Sequence, residues 1–360
     1  MSEERAVSRR SVLSAGAGAV GGGALVGSGR ADEDGREGRD TGEQVGESFT
    51  AGAARVDATP TEDHLDEGVW LGGYGVGRGR EATGVLDGCD ATAVAIGIGD
   101  VTVAIVSIDV PGIGNALIER IRKRARSRAG LDPDHVLVAA THTHAGPDVQ
   151  GLWGGVPRSY RHRIVERASH AIELAVERAV PASASVAQAS TPDFVSNRRG
   201  WEETVDDLTA IHLSSLEGDP VGTLVTYPAH TVVIGADEDR VAKDYPGELT
   251  RTVEAELGGV CAFVPGVLGD ASPESPLEDG ADLERANALG EALGAEVLAV
   301  LEDPRPLEPR LRLRTRDLRV PMDNCVFRVA YDVGLMRPYY HGETAPEWFF
   351  DRVASTLEPV

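Results

Sequence analysis

Cysteine is scarce: three in 360 residues, Cys89, Cys261 and Cys325, far apart and never in a C-x-x-C spacing. That excludes a disulfide framework and a zinc ribbon, and leaves a small buried thiol as the expected role of each. Lysine is scarcer still, with Lys123 and Lys243 alone, so nearly all of the 35 basic residues are arginine, set against 58 Asp and Glu. The formal charge of −23 repels nucleic acid and anionic membranes at long range, which excludes a general nucleic-acid binder. Few lysines among many carboxylates also fit a surface that must stay hydrated in strong salt, a halophilic signature. Beyond the N-terminal region no uninterrupted apolar run approaches the 18 residues of a membrane span.

What the first thirty residues do contain is an address. Ser8-Arg9-Arg10-Ser11-Val12-Leu13 precedes the weakly apolar SAGAGAVGGGALVGSG, a charged n-region and a short h-region. The paired arginines and low hydrophobicity resemble a twin-arginine signal over residues 1–31, which predicts export to the cell surface or medium. Residues 32–48, ADEDGREGRDTGEQVGES without its first Ala, are charged and Gly-rich and read as a disordered linker. A domain is expected over 49–360.

There the chain alternates. Strands are predicted at Thr92–Gly97 and Val101–Val110 around a Gly-Asp turn, then at His135–Thr141, Ser183–Ala189, Leu208–Ser214, Val221–Tyr227 and Val260–Val264. Helices are predicted at Asn115–Ala129 before Gly130, Tyr160–Val180, Pro246–Leu257 and Asp282–Leu301. One more strand is expected after Leu307. Interleaved strands and helices give a single α/β domain with a mixed sheet flanked by helices.

Four segments place reactive residues at strand ends, where such folds assemble their sites. THTHAGPD carries His142 and His144, which share a face if the strand continues through them; one can bind a metal while the other handles protons. TYPAHTVVIG carries His230. VAKDYPGE carries Asp244 and Tyr245 before a Pro-Gly helix start. FVPGVLGDASPE carries Asp270 and Ser272, which turn chemistry alone would also explain. Between them SNRRG offers Arg198, whose fork suits a carbonyl or carboxylate oxygen, or simply a solvated surface.

In this order, after RVDATP, LGGYGVGR and GVLDGCDATAVAIGIGD, the motifs resemble the neutral/alkaline (non-lysosomal) ceramidases and their shorter prokaryotic relatives, over about Ala54 to Pro273. The resemblance implies a zinc-dependent amidase acting on N-acylsphingosine or a related N-acyl compound. It implies His142 and His230 as zinc ligands, His144 beside the scissile amide, Arg198 on the substrate, and Ser272 as nucleophile or as the group holding a substrate hydroxyl. Asp244, Asp270 and Tyr245 fall in the substrate-contacting or supporting shell. The family's other two ligands, a glutamate and a tyrosine, have no convincing match before Val360. A chain truncated at its C-terminus, substitution by Tyr339, Tyr340 or Glu343, and an impaired, purely binding protein are the readings this leaves. An amidohydrolase-type barrel, which also begins its metal site with H-x-H, is the alternative fold.

Overall fold

The structure, a computed structural model, describes residues 39–75 and 79–315, together with positions 329, 333, 339–340 and 343–344. Its centre is a nine-stranded mixed sheet. The strands are β1 (Phe49–Asp57), β2 (Asp90–Ile98), β3 (Val101–Ile108), β4 (Val136–Ala140), β5 (Val180–Ser190), β6 (Asp207–Ser215), β7 (Pro220–Tyr227), β8 (Val260–Pro265) and β9 (Arg305–Pro306). They lie in the order β8-β7-β6-β5-β1-β2-β3-β4, with β9 added to β5. The longer helices are α1 (Asn115–Ala129), α2 (Arg158–Glu177), α3 (Tyr245–Leu257) and α4 (Asp282–Val300), besides a five-residue helix at Glu62–Asp66. The outer pairs β3/β4 and β7/β8 are parallel. Each is joined by a crossover helix, α1 and α3 respectively, as a parallel connection requires.

Both faces of the sheet are covered, which is why its strands read as apolar runs rather than alternating ones. Ala54, Ala91, Ala93 and Ala95 turn to one face, in a core with Ile164, Val165, Ala168 and Ala171 of α2 and Leu117 and Ile121 of α1. Ala51, Ala53, Val94 and Ile98 turn to the other, where they meet Leu213, Leu224 and Ala262 from the far half of the sheet. The sheet therefore folds back on itself, and α3 and α4 cover its outer face with Leu249, Val253, Leu289 and Leu293. Small residues set the spacing. A Cβ on Gly52 would sit 2.1 Å from the Ala175 carbonyl of α2, and one on Gly222 would sit 3.0 Å from the Ala53 methyl. Among the described residues there is no eight-stranded parallel barrel, and the mixed sheet they form is not that of the amidohydrolase alternative. No described helix is long and apolar enough to cross a membrane.

The predicted elements lie close to the observed ones, with three differences. β1, near the middle of the sheet, is unmarked in the sequence because FTAGAARVD is built from Ala and Gly rather than β-branched residues. The expected linker is structured from Arg39 onward. Arg39–Asp40 pairs with Arg314–Thr315, and Gln44–Val45 with Arg310–Leu311, the segment expected as a strand after Leu307. Arg312 and Arg314 also reach the Asp40 carboxylate, so charges that read as disorder-promoting are paired here. Third, the predicted strand through Thr141 stops at Ala140. Cys89 and Cys261 are buried, as expected, and Cys325 lies outside the described residues. Tyr339–Tyr340 and Glu343–Thr344 form a two-strand pair.

Candidate metal centre

After β4 the chain keeps alongside β3 for two residues: the Thr141 N–H donates to Ile108 O (2.9 Å) and the His142 N–H to Val110 O (3.1 Å). The backbone then turns at His142, which has φ +67°, a left-handed conformation few non-glycine residues take. The two histidines therefore do not meet by strand alternation. The turn brings their rings edge to face, with centroids 4.9 Å apart and Nε2 atoms 3.3 Å apart.

The third ring comes from the loop after β7. The His230 N–H donates to Ala271 O (3.0 Å), and the ring centroid lies 4.9 Å from that of His142 and 5.6 Å from that of His144. One ring nitrogen from each of the three histidines falls within 4.8 Å of the others. Threonines tie the two loops together: Thr231 Oγ1 donates to Thr141 O (2.7 Å), the His144 N–H to Thr231 O (3.1 Å), and Thr143 Oγ1 to Ala242 O (2.8 Å).

The three rings are not equivalent. His142 Nδ1 lies 2.6 Å from Pro111 O, and His230 Nδ1 lies 2.5 Å from Leu268 O. A carbonyl can only accept, so both Nδ1 atoms carry the proton and both Nε2 lone pairs point inward. That is the outer-shell arrangement by which proteins orient metal-ligating histidines. His144 Nδ1 is buried with no hydrogen-bond partner. Its ring is held by contact instead: Tyr74 stands edge-on at 5.0 Å, and Gly73 lies so close that a Cβ would be 2.2 Å from the His144 Cγ.

All three imidazoles are kept neutral. Burial first, then the nearness of His142, His230, Arg198 and Arg80, pushes His144 down to about 3. Burial and then Arg198 push His230 down to about 4, and burial lowers His142. Neutral, pre-oriented imidazoles suit a borderline cation such as Zn²⁺.

The other expected residues gather around this cluster in distinct ways. The short strands Val195–Asn197 and Ala271–Pro273 pair antiparallel with Ser196 opposite Ser272. Half-buried Ser272 therefore directly follows the residue that anchors the His230 backbone. Arg198 is exposed; its N–H donates to Asp270 O (2.8 Å), and its charge reaches all three histidines. Asp270 Oδ2 accepts from Asn197 Nδ2 (3.2 Å).

Asp244 is fully occupied beneath the site. Its Oδ1 accepts from the Tyr245 N–H (2.6 Å) and its Oδ2 from the Ile234 N–H (2.8 Å). Burial raises it to about 6, and its φ is +63°. Tyr245 is a core residue whose hydroxyl donates to Ala229 O (2.9 Å), just before His230. Of the two roles expected for this pair, support of the site is the one their contacts fit. Sequence reasoning passed over Tyr74, Arg80, and the carbonyls of Pro111 and Leu268. No motif marks a backbone carbonyl, and Tyr74 and Arg80 look like loop residues in LGGYGVGRGR.

No protein-family profile matches the sequence. Among solved structures, the neutral ceramidase from Pseudomonas aeruginosa superposes with a TM-score of 0.63 at 18% identity, over 71% of this chain and 45% of that one. The fold is that of the neutral ceramidases. A ceramidase complexed with C2 agrees, with a TM-score of 0.62, 18% identity, and coverage of 71% and 44%. The chain thus spans less than half the length of the ceramidase structures it matches.

Proposed function

We propose that this chain is an exported, zinc-dependent amidase of the neutral ceramidase family, hydrolysing an N-acylated lipid of ceramide type to a fatty acid and a sphingoid base. Residues 1–31 serve as its twin-arginine-type signal. One observation carries the reading: His142 and His230 are tautomerically fixed by carbonyls with Nε2 turned inward, while His144, 3.3 Å away, has no such anchor. This supports a division of labour in which two histidines hold the ion and the third handles protons. The sequence motifs favour the same assignment, and the likeness to solved ceramidases supports the fold that carries it.

His142 and His230 would hold zinc, which supplies Lewis acidity toward an amide carbonyl and toward water. The residues of this chain do the rest. His144, neutral at pH 7, accepts a proton at Nε2 from the attacking hydroxyl group and returns it to the amide nitrogen as the C–N bond breaks, so that the amine leaves neutral. Arg198 faces the charge that develops on the carbonyl oxygen, a contribution of about 3 kcal/mol for a well-placed donor. Ser272 either attacks the carbonyl itself or holds a substrate hydroxyl. Its half-buried place beside the His230 anchor suits both roles.

The test is hydrolysis of N-acylsphingosine by the purified protein with one equivalent of zinc. Release of fatty acid and sphingoid base, lost on chelation and in His142→Ala, is expected. A protein that binds no zinc and turns over the substrate undiminished in His142→Ala contradicts the reading. Tight lipid binding without turnover would favour a non-catalytic role for the same scaffold.

A further inference from the structure

The unanchored His144 ring raises the question of what fixes it for proton transfer. A hydrogen bond to Nδ1 is absent, so its placement depends on the Tyr74 and Gly73 contacts and on the backbone that carries it. That backbone is held by Arg80. Arg80 Nη2 donates to His144 O (2.5 Å) and lies 3.4 Å from Gly72 O. Its Nη1 donates to Gly235 O (3.2 Å) and to Glu238 O. The guanidinium also stacks on the Tyr74 ring, 4.8 Å from the centroid, and Tyr74 is the ring that stands against His144. The Tyr74 hydroxyl donates to Ile234 O (2.7 Å).

Four backbone carbonyls from three segments thus converge on one planar cation. The segments are the wall before His144 (Gly72 to Tyr74), His144 itself, and the loop that follows His230. Without a cation the four carbonyl dipoles would face one another across a half-buried space and repel. A lysine is a point charge with three donors, whereas the guanidinium presents five in a fixed plane.

We propose that Arg80 is a positioning residue that sets the His144 ring for proton transfer, acting through the His144 carbonyl and Tyr74. Arg80 touches neither the His142 nor the His230 anchor, so the ion should stay in place when it is removed. The proposal rests on the proton-transfer role given to His144 above.

The experiment compares Arg80→Lys, Arg80→Gln and Arg80→Ala in the full chain, alone and in a His144→Ala background. Histidine ring resonances are followed by NMR in the metal-free protein, and Co²⁺ affinity and steady-state kinetics in the loaded one. Expected for Arg80→Ala are a kcat lower by about 10²-fold, as for a misplaced catalytic group, and a KM within about 3-fold. The His144 ring signals should shift while those of His142 and His230 hold, and Co²⁺ affinity should change by less than about 3-fold. Arg80→Lys should recover part of kcat, and Arg80→Ala should cost nothing further once His144 is Ala. An equal loss in the His144→Ala background, a rise in KM at constant kcat, or unmoved His144 signals would each overturn the proposal. If the wild-type chain turns over no N-acyl lipid, the ring signals still decide the positioning claim, separately from the amidase reading.

Discussion

Gly73→Ala separates the two jobs assigned to the histidines. Gly73 has φ +93°, where an added Cβ brings about 1–2 kcal/mol of backbone strain. The new methyl would also lie 2.2 Å from His144 Cγ, 2.4 Å from Nδ1 and 2.6 Å from Cδ2. Ordinary contact begins near 3.4 Å, so the imidazole must move by roughly 1 Å, with about 1–3 kcal/mol of overpacking. The total destabilisation should be about 2–5 kcal/mol by urea unfolding. Gly75→Ala is the matched control: φ is +72° and nothing lies within 4 Å of its Cβ, so it carries the strain without the collision. A 1 Å displacement of the proton-transfer group lowers kcat/KM by about 10²-fold, which steady-state hydrolysis of an N-acyl lipid would show for Gly73→Ala and not for Gly75→Ala. Zinc affinity, measured by calorimetry, should change by less than about 3-fold in both, because the Pro111 and Leu268 anchors are untouched. A loss of zinc affinity in step with activity would refute the reasoning, since His144 would then be a ligand.

The remaining predictions concern the buried charges behind the site and the support of His230. Lys243 Nζ donates to Asp90 Oδ2 (2.7 Å), which Arg55 Nε also approaches (3.4 Å), beside buried Asp109, so Lys243→Met should destabilise the fold by about 1–3 kcal/mol in urea, the scale for a lost hydrogen bond to a charged group whose other cation remains. Burial raises Asp109 to about 6, above the unfolded carboxyl at 3.8. The stabilising contribution of its protonated form is complete below the lower value and lost as pH rises through the upper one. Asp109→Asn should therefore gain about 2 kcal/mol on wild type between pH 4.5 and pH 7.5, and a pH-independent difference in urea unfolding would contradict this. Tyr245→Phe removes the hydroxyl that holds Ala229 O (2.9 Å); about 1–2 kcal/mol of stability and a several-fold weaker zinc affinity should go with it, and unchanged zinc binding would dissociate that contact from the site.

Periodicity made most of the fold legible. Val101–Ile108 and Asn115–Ala129 carry their pattern openly, the latter closed by Gly130 at φ +70°. β1 escaped because strand propensity is largely a matter of packing, and its Ala and Gly residues are chosen for the close approach of α2 and β7. The segment from Arg39 escaped for a different reason: its charges meet arginines some 270 positions later, a pairing no local window contains. The histidines of the site were legible as a group. Their inequivalence was not, because it lies in two backbone carbonyls, Pro111 and Leu268, that any residue type would present. Arg80 was hidden likewise, since all four of its hydrogen-bond acceptors are main-chain oxygens. Lys243 shows the reverse: an unusual residue by composition, but one whose burial between Asp90 and Asp109 only the fold reveals.

A zinc titration of four proteins, wild type, His142→Ala, His230→Ala and His144→Ala, tests the division of labour among the histidines most directly. Expected are one zinc per wild-type chain, affinity reduced by more than about 10²-fold in His142→Ala and His230→Ala, and near wild-type affinity in His144→Ala, whose hydrolysis is nevertheless lost. Equal loss of zinc in all three variants, or no stoichiometric zinc in the wild type, would contradict that division.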